Sequence, residues 1–346
     1  MTAWQQQLLE NLQQRGVLSG VERQQLTARP ATPWYMVLLT ALAAWLAAVL
    51  VVSATLFLFS RAEPGMLALC GVLTLSVALW LLRRSGEFAA QLVLACSLIG
   101  QALLVFAVLA MSDWSGDSWR MAAWVGGGLA TLLLLPRAHY AHQLLCALLM
   151  MGNGALLAAT GPWLGLYGIT LAALAVVLWL HRGHWVNTRV PGTLRALASA
   201  ATMVALMLGW VIHAQMLDML DSHSQVKQLS WLYPAGAGAL LLCTGLWLVR
   251  HMRALVRAGY LVAMLVTIAL CAQMPGLLVG AALWLAVFHA CDRHWSIVVG
   301  IGTSGYLGAL YYSLHITLLN KSLLLLATGL ALLLLRWLLL RLWTKV

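Results

Sequence analysis

The sequence predicts an all-α fold: a polytopic transmembrane helical bundle with about twelve spans and both termini in the cytoplasm. Three observations predict it. Of the 346 residues, 63% are hydrophobic and only 8% are charged, whereas about a quarter of a soluble domain is charged. The apolar residues form a series of runs, and the mean hydropathy of +0.91 is typical of a chain surrounded by lipid. The basic residues lie in short clusters between those runs, as in membrane proteins.

Residues 1–30 predict a cytoplasmic amphipathic helical hairpin. Leu8 and Leu12 recur at helical spacing, and Gly16 ends that first helix. The capping-box pattern Ser19–Glu22 can begin a second helix. We expect the pair to lie on the inner leaflet, with docking of a partner as the alternative. The segment lacks the apolar core of a cleavable signal peptide, so the first span is expected to be an uncleaved anchor.

The transmembrane helical domain is predicted over residues 31–346, as a succession of apolar runs. Several runs are shorter than the ~20 residues that a straight crossing needs, and the ninth and tenth either cross fully or form a re-entrant pair. The predicted spans are 34–59, 64–82, 88–111, 121–135, 140–159, 162–180, 194–217, 231–249, 259–273, 275–289, 295–314 and 322–340.

The basic residues determine the predicted orientation. With the N-terminus in the cytoplasm, 16 of the 20 Lys and Arg residues fall in cytoplasmic segments. The outer segments hold only Arg61, Arg120, Lys227 and Lys321. This asymmetry follows the positive-inside rule and predicts a multi-pass protein of the bacterial cytoplasmic (inner) membrane. It also argues against binding to nucleic acid, which needs a basic patch on a soluble module.

A short motif recurs at three predicted cytoplasmic helix ends. Leu-Trp-Leu, closely followed by Arg, occurs at Leu79–Arg83, Leu178–Arg182 and Leu246–Arg250. Trp favours the headgroup layer and Arg the water and phosphate beyond it, so a membrane anchor explains the motif fully. The first and third copies are 167 residues apart, which suits a pseudo-repeat of six plus six helices. The rest of the chain shows little self-similarity in support.

Carboxylates are missing from the predicted spans. All nine acidic residues fall in loops or in the polar N-terminal segment. An ion-coupled carrier normally keeps a carboxylate in mid-membrane, and an intramembrane enzyme needs an acid–base pair. The sequence also lacks a P-loop, a dinucleotide fingerprint and a nucleophile elbow. We therefore predict no catalytic residue and no cofactor.

Histidines and cysteines raise the question of a metal or haem site. His139 and His142 are three residues apart, as are His181 and His184, and the stretch His289–His294 combines several ligand types. Each group lies near a predicted cytoplasmic helix end, and zinc spacing would need a second matched pair. No metal site is predicted. The six cysteines are expected to be small buried side chains.

The candidate site lies in the last two predicted spans. Tyr306, Tyr311 and Tyr312 precede Lys321, which stands at the outer end of the final span. One hypothesis is a polar pocket at the outer leaflet, where Lys321 meets an anionic headgroup or a partner protein. The alternative is ordinary: close packing, an outer aromatic belt and a lysine that snorkels to phosphate.

Short stretches near both ends resemble a known family. The segment 311–314, then 317–322, Gly329 and Arg336, resembles the closing signature of a bacterial membrane family, domain of unknown function 4401 (DUF4401), and Pro33-Trp34-Tyr35 is also similar to it. The resemblance implies a multi-span inner-membrane protein. It also implies a partner, because relatives tend to occur with a small membrane-anchored protein that bears a Gly-Asp-Tyr motif. It supplies no catalytic residues.

These observations predict a membrane scaffold or transport-like subunit that acts with a partner on envelope lipids or glycans. The alternative is a stand-alone transporter or flippase for an uncharged or lipidic substrate, and an intramembrane enzyme is the third hypothesis. A central water-accessible cavity with convergent polar groups would favour the transporter. A dry, tightly packed bundle with one exposed polar groove would favour the scaffold.

Overall fold

The computed structural model is all-α in the part of the chain that it describes. Besides single residues towards either end, it describes residues 64–82, 87–112, 118–134, 139–159, 163–221, 231–272 and 274–313. Eleven helices follow one another in these ranges: α1 (Pro64–Leu81), α2 (Glu87–Met111), α3 (Ser118–Leu133), α4 (Tyr140–Ala159), α5 (Leu164–Leu180), α6 (Arg182–Trp185), α7 (Pro191–Asp221), α8 (Leu232–Val249), α9 (Ala254–Cys271), α10 (Pro275–His289) and α11 (Arg293–Ser313).

Several helices begin at a proline. Pro64, Pro191 and Pro275 are the first residues of α1, α7 and α10. At the first helical position the missing N–H of proline would have no intrahelical partner, and its fixed φ already suits the helix. These starts are therefore encoded locally in the sequence.

Five of the described helices are long and apolar enough to cross a membrane. They comprise Pro64–Leu81, Ala89–Met111, Tyr140–Ala159, Pro191–Ile212 and Leu232–Val249. The protein is thus a helical multi-pass membrane protein, as predicted. The predicted count of about twelve spans is corrected, because within the described ranges five helices are candidate spans. The prediction accepted runs as short as 15 residues, such as α10. A helix of that length rises about 22 Å, less than the ~30 Å of the hydrocarbon core.

Several predicted features lie outside the described residues. These are the N-terminal hairpin, the first and last predicted spans and Lys321, apart from single positions within those segments. The predicted N-in and C-in orientation and the six-plus-six repeat depend on them and stay predictions.

The core lies where α5, α7, α8 and α10 meet, with α4 and α11 packed around them. Small side chains allow this close packing: Ala172, Ala201 and Ala282 are completely buried. The indole of Trp179 is also completely buried, and its Nε1 donates a hydrogen bond of 2.9 Å to Oγ1 of Thr202 on α7. The helices α1, α2 and α3 continue the bundle beyond α4, and α9 packs on α8 and α10.

Successive long helices run in alternate directions, so the bundle has two distinct ends. One end, which we call the basic end, contains the end of α5, the start of α7, the end of α8 and the junction of α10 with α11. Arg182, Arg195, Arg250 and Arg293 lie there. Tyr306 lies in the opposite half, 13 residues along α11 from Arg293.

Candidate functional site

The turn between α10 and α11 has an unusual residue at its centre. Cys291 has a φ of 55°, the left-handed conformation that normally favours glycine. The Cys291 N–H donates to the Phe288 carbonyl at 3.0 Å, and the Asp292 N–H donates to the Val287 carbonyl at 3.4 Å. This pair of bonds is the Schellman arrangement, which satisfies the last carbonyls of a helix and reverses the chain. The reversal brings Asp292 under the first turn of α11.

Asp292 uses both oxygens of its carboxylate. Oδ1 accepts a hydrogen bond of 3.4 Å from the backbone N–H of Trp295, so Asp292 caps the N-terminus of α11. Oδ2 accepts from Nη1 of Arg182 at 3.3 Å and from Nη2 of Arg195 at 3.2 Å. The same Nη1 of Arg182 donates to the carbonyl of Ala290 at 2.8 Å. One buried acid therefore joins α6, α7, α10 and α11, and we call these contacts the Asp292 junction.

Neighbouring side chains hold the junction in place. The guanidinium carbon of Arg195 lies 5.3 Å from the ring centroid of Tyr140 on α4, a cation–π distance. Tyr140 in turn donates a hydrogen bond of 2.9 Å from its hydroxyl to Ser199 on α7. Asp292 is only 5% exposed and both its oxygens are occupied, so its contacts hold the neighbouring helix ends together.

Beside the junction, aromatic rings and imidazoles line the basic end. The ring of Trp247 lies 5.8 Å from His181 and 5.2 Å from His289, and His181 lies 5.8 Å from His184. The Arg250 guanidinium stacks 4.4 Å from the centroid of the Trp247 ring. We call these five residues the His–Trp row. All but the half-buried Trp247 are exposed, so the row presents cation, imidazole and indole groups outward.

Of the histidine pairs singled out in the sequence, His181 and His184 lie together in the His–Trp row, whereas His139 and His142 have different surroundings. His142 is buried on α4, where its Nε2 lies 3.2 Å from the Leu133 carbonyl. His139 is exposed. Within the described ranges, no three His, Cys, Asp or Glu residues converge in a way that could hold a metal ion.

The tyrosines of the predicted site occupy different surroundings. Tyr306 is 3% exposed and packs against Gly276 of α10, whereas Tyr312 is 82% exposed. The rings of Tyr311 and Tyr312 meet edge to face with centroids 5.6 Å apart. The structure therefore brings Tyr311 and Tyr312 together and turns Tyr306 into the bundle. Lys321 lies outside the described residues, so a pocket formed with it stays a prediction.

Sequence reasoning did not find the Asp292 junction. The sequence predicts that Asp292 lies in a loop, and the structure has it there. Two signals in the sequence point to its role. An Asp directly before a helical run is an N-cap pattern, and this acid lies among loops that otherwise carry arginine. Neither signal shows that Arg182 and Arg195, about a hundred residues earlier, converge on it.

The five apolar helices and the cationic end together define a helical multi-pass membrane protein. A family model described as Domain of unknown function (DUF4401) matches residues 33–342, and the chain belongs to that family. This confirms the resemblance seen in the sequence. No curated protein and no solved structure matches the chain.

Proposed function

We infer that the protein is a membrane scaffold subunit of the bacterial inner membrane. In this role it holds a small membrane-anchored partner protein and works with it on envelope lipids or glycans. The observation that carries the proposal is the filled centre of the bundle, combined with a cationic end whose helices are joined by the Asp292 junction.

The centre of the described bundle is filled by side chains. Completely buried alanines on α5, α7 and α10 bring the helices close together, and Trp179 occupies the space between α5 and α7. A carrier needs a site at the repeat interface that opens to each side in turn, usually next to broken helices. The close packing favours a fixed scaffold over a stand-alone transporter or flippase.

The basic end supplies a surface for the partner. The Asp292 junction fixes four helices against one another, and the adjacent His–Trp row presents Arg250, His181 and His289 outward. Arginine and tryptophan are the residue types that contribute most at protein interfaces. An acidic segment of a partner would contact both the positively charged groups and the faces of the aromatic rings in this row. The concentration of arginine supports a cytoplasmic location for this end.

A second contact, predicted from the sequence, belongs to the same function. Tyr311 and Tyr312, with Lys321, would meet anionic headgroups or the outer part of the same partner. Their aromatic edge-to-face pair suits a position in the headgroup layer.

Affinity purification in mild detergent tests the proposal. We expect a membrane-anchored partner to co-purify with the wild-type protein. Arg250→Glu should reduce its retention several-fold, because the charge over Trp247 is reversed. Arg189→Glu is the matched control, since Arg189 is also exposed near the basic end but is not part of the row. Equal retention by wild type and Arg250→Glu would contradict the proposed docking surface.

A further inference from the structure

A groove runs along the outside of the bundle between α10 and α11. Its volume is about 780 Å³, within the range of sites that hold small molecules. Trp284 and Phe288 of α10 form one wall and are 52% and 74% exposed. The two helices are not among the five that can cross, but α10 packs on α7 and α8, and α11 packs on α7 and α10. Exposed apolar rings beside such membrane-crossing helices face lipid.

Small residues of α11 form the bottom of this groove and leave space above them. Ser296, Gly300 and Ser304 line it at intervals of four residues, which places them one above another on the same helix face. A Cβ atom added at Gly300 would meet nothing within 4 Å. The helix thus leaves an open strip into which an extended chain of methylene groups fits.

The length of the strip matches one leaflet. From Arg293 to Ser304 the helix advances eleven residues, or about 16 Å at 1.5 Å per residue. The hydrocarbon core of a bilayer is ~30 Å thick, so a single leaflet contributes about half of that. An acyl chain that enters beside Arg293 would reach the bilayer midplane near Ser304.

The entrance of the groove is cationic. Arg293 is exposed and lines the groove at the basic end. The neighbouring carboxylate of Asp292 is neutralised by Arg182 and Arg195, so it does not cancel the charge of Arg293. A guanidinium forms paired hydrogen bonds with a phosphate. A cationic entrance followed by apolar walls fits a molecule with an anionic head and a hydrocarbon tail.

The geometry points to a binding site for one anionic phospholipid in the α10–α11 groove. The headgroup phosphate lies on Arg293, and an acyl chain extends over Gly300 between Trp284 and α11. The lipid comes from the leaflet at the basic end. This site is separate from the partner-docking surface of the proposed function and does not depend on it.

Native mass spectrometry of the full-length protein tests the site. The protein is reconstituted with phosphatidylcholine and increasing phosphatidylglycerol, and the phosphatidylglycerol molecules that survive mild activation are counted. We expect one to be retained by the wild type. Arg293→Gln should weaken its binding about fivefold, the effect of roughly one charge near the membrane surface, and Arg293→Lys should keep most of it. Gly300→Leu should abolish retention, because the new side chain occupies the open strip.

Two controls separate this site from lipid that surrounds any membrane protein. Gly308→Leu introduces the same side chain two turns further along α11, also where a Cβ would meet nothing within 4 Å, and Arg189→Gln removes an exposed arginine elsewhere at the basic end. Both should retain the lipid, and thermal unfolding should show all variants folded. Equal retention by wild type, Gly300→Leu and Arg293→Gln would overturn the proposal. So would displacement by soluble glycerol phosphate, which would indicate an anion site without a lipid groove.

Discussion

At the residue scale, Asp292 shows how one carboxylate can serve two purposes. Its Oδ1 caps α11, and its Oδ2 accepts from Arg182 and Arg195. The acid is 5% exposed, while the arginine side chains are 31% and 42% exposed. Water therefore screens the two ion pairs from the arginine side, and their net contribution to stability is smaller than their Coulombic attraction alone would give.

Two substitutions at position 292 separate the two contributions. Asp292→Asn keeps an oxygen for the cap and removes the charge, so we expect it to lower the free energy of unfolding by about 1–2 kcal/mol. Asp292→Ala also removes the cap and should lower it by about 1 kcal/mol more. Thermal unfolding in mild detergent measures both. High salt should reduce the difference in the free energy of unfolding between wild type and Asp292→Asn, because it screens the ion pairs. Identical stability of the two proteins at low salt would show that the ion pairs contribute nothing.

For single residues, the sequence predicts only those features that local spacing along the chain encodes. Tyr306 and Tyr312 are six residues apart, so helical periodicity alone places them on different sides of α11. The pocket predicted from the sequence grouped the two tyrosines without using that spacing. The pairing of Asp292 with Arg182 and Arg195 is different. It depends on how the ends of α5, α7 and α10 pack, and no spacing in the sequence encodes that.

At the element scale, the packing of α7, α10 and α11 depends on glycine. A Cβ atom at Gly276 would lie 2.6 Å from Cε2 of Tyr306, and one at Gly209 would lie 3.4 Å from the Cα of Gly276. The backbones of α7 and α10 approach closely at this point, and the Tyr306 ring covers the crossing. Small residues at such crossings are how membrane helices gain contact area.

Gly276→Ala tests this crossing. We expect a loss of about 1–3 kcal/mol, because the Tyr306 ring must move or α10 must shift. Gly152→Ala on α4 is the control. A Cβ there meets nothing within 4 Å, and alanine gains up to about 1 kcal/mol over glycine inside a helix. Combining Gly276→Ala with Tyr306→Leu should recover part of the loss. Equal melting temperatures for the two alanine variants would contradict the close approach.

Most described helices were predictable from the apolar runs. The predicted span 140–159 coincides with α4, and 275–289 coincides with α10. The short helix α6 was missed because its four residues carry no apolar period. Within the described ranges the number of crossings was overestimated, because a run of 15 residues does not show whether it spans the membrane or fills the bundle.

At the scale of the whole molecule, the two ends differ in chemistry. The basic end carries the Asp292 junction, the His–Trp row and the entrance of the lipid groove. The opposite half carries the glycine crossing with Tyr306, and the exposed Tyr312. The positive-inside rule predicts that an arginine-rich end lies in the cytoplasm. All the proposals for the basic end depend on a bundle that crosses the membrane. Orientation is thus the central claim.

Reporter fusions on either side of α7 and α8 test that claim most directly. Both helices are among the five that are long and apolar enough to cross. Fusions after Arg189, before α7, and after Arg253, beyond α8, should be active only as cytoplasmic reporters. A fusion after Ser224, between the two helices, should be active only as a periplasmic reporter. A cytoplasmic signal at all three positions would show that α7 and α8 do not cross the membrane. Periplasmic signals at Arg189 and Arg253 with a cytoplasmic signal at Ser224 would place the basic end in the periplasm. Either result would contradict the account.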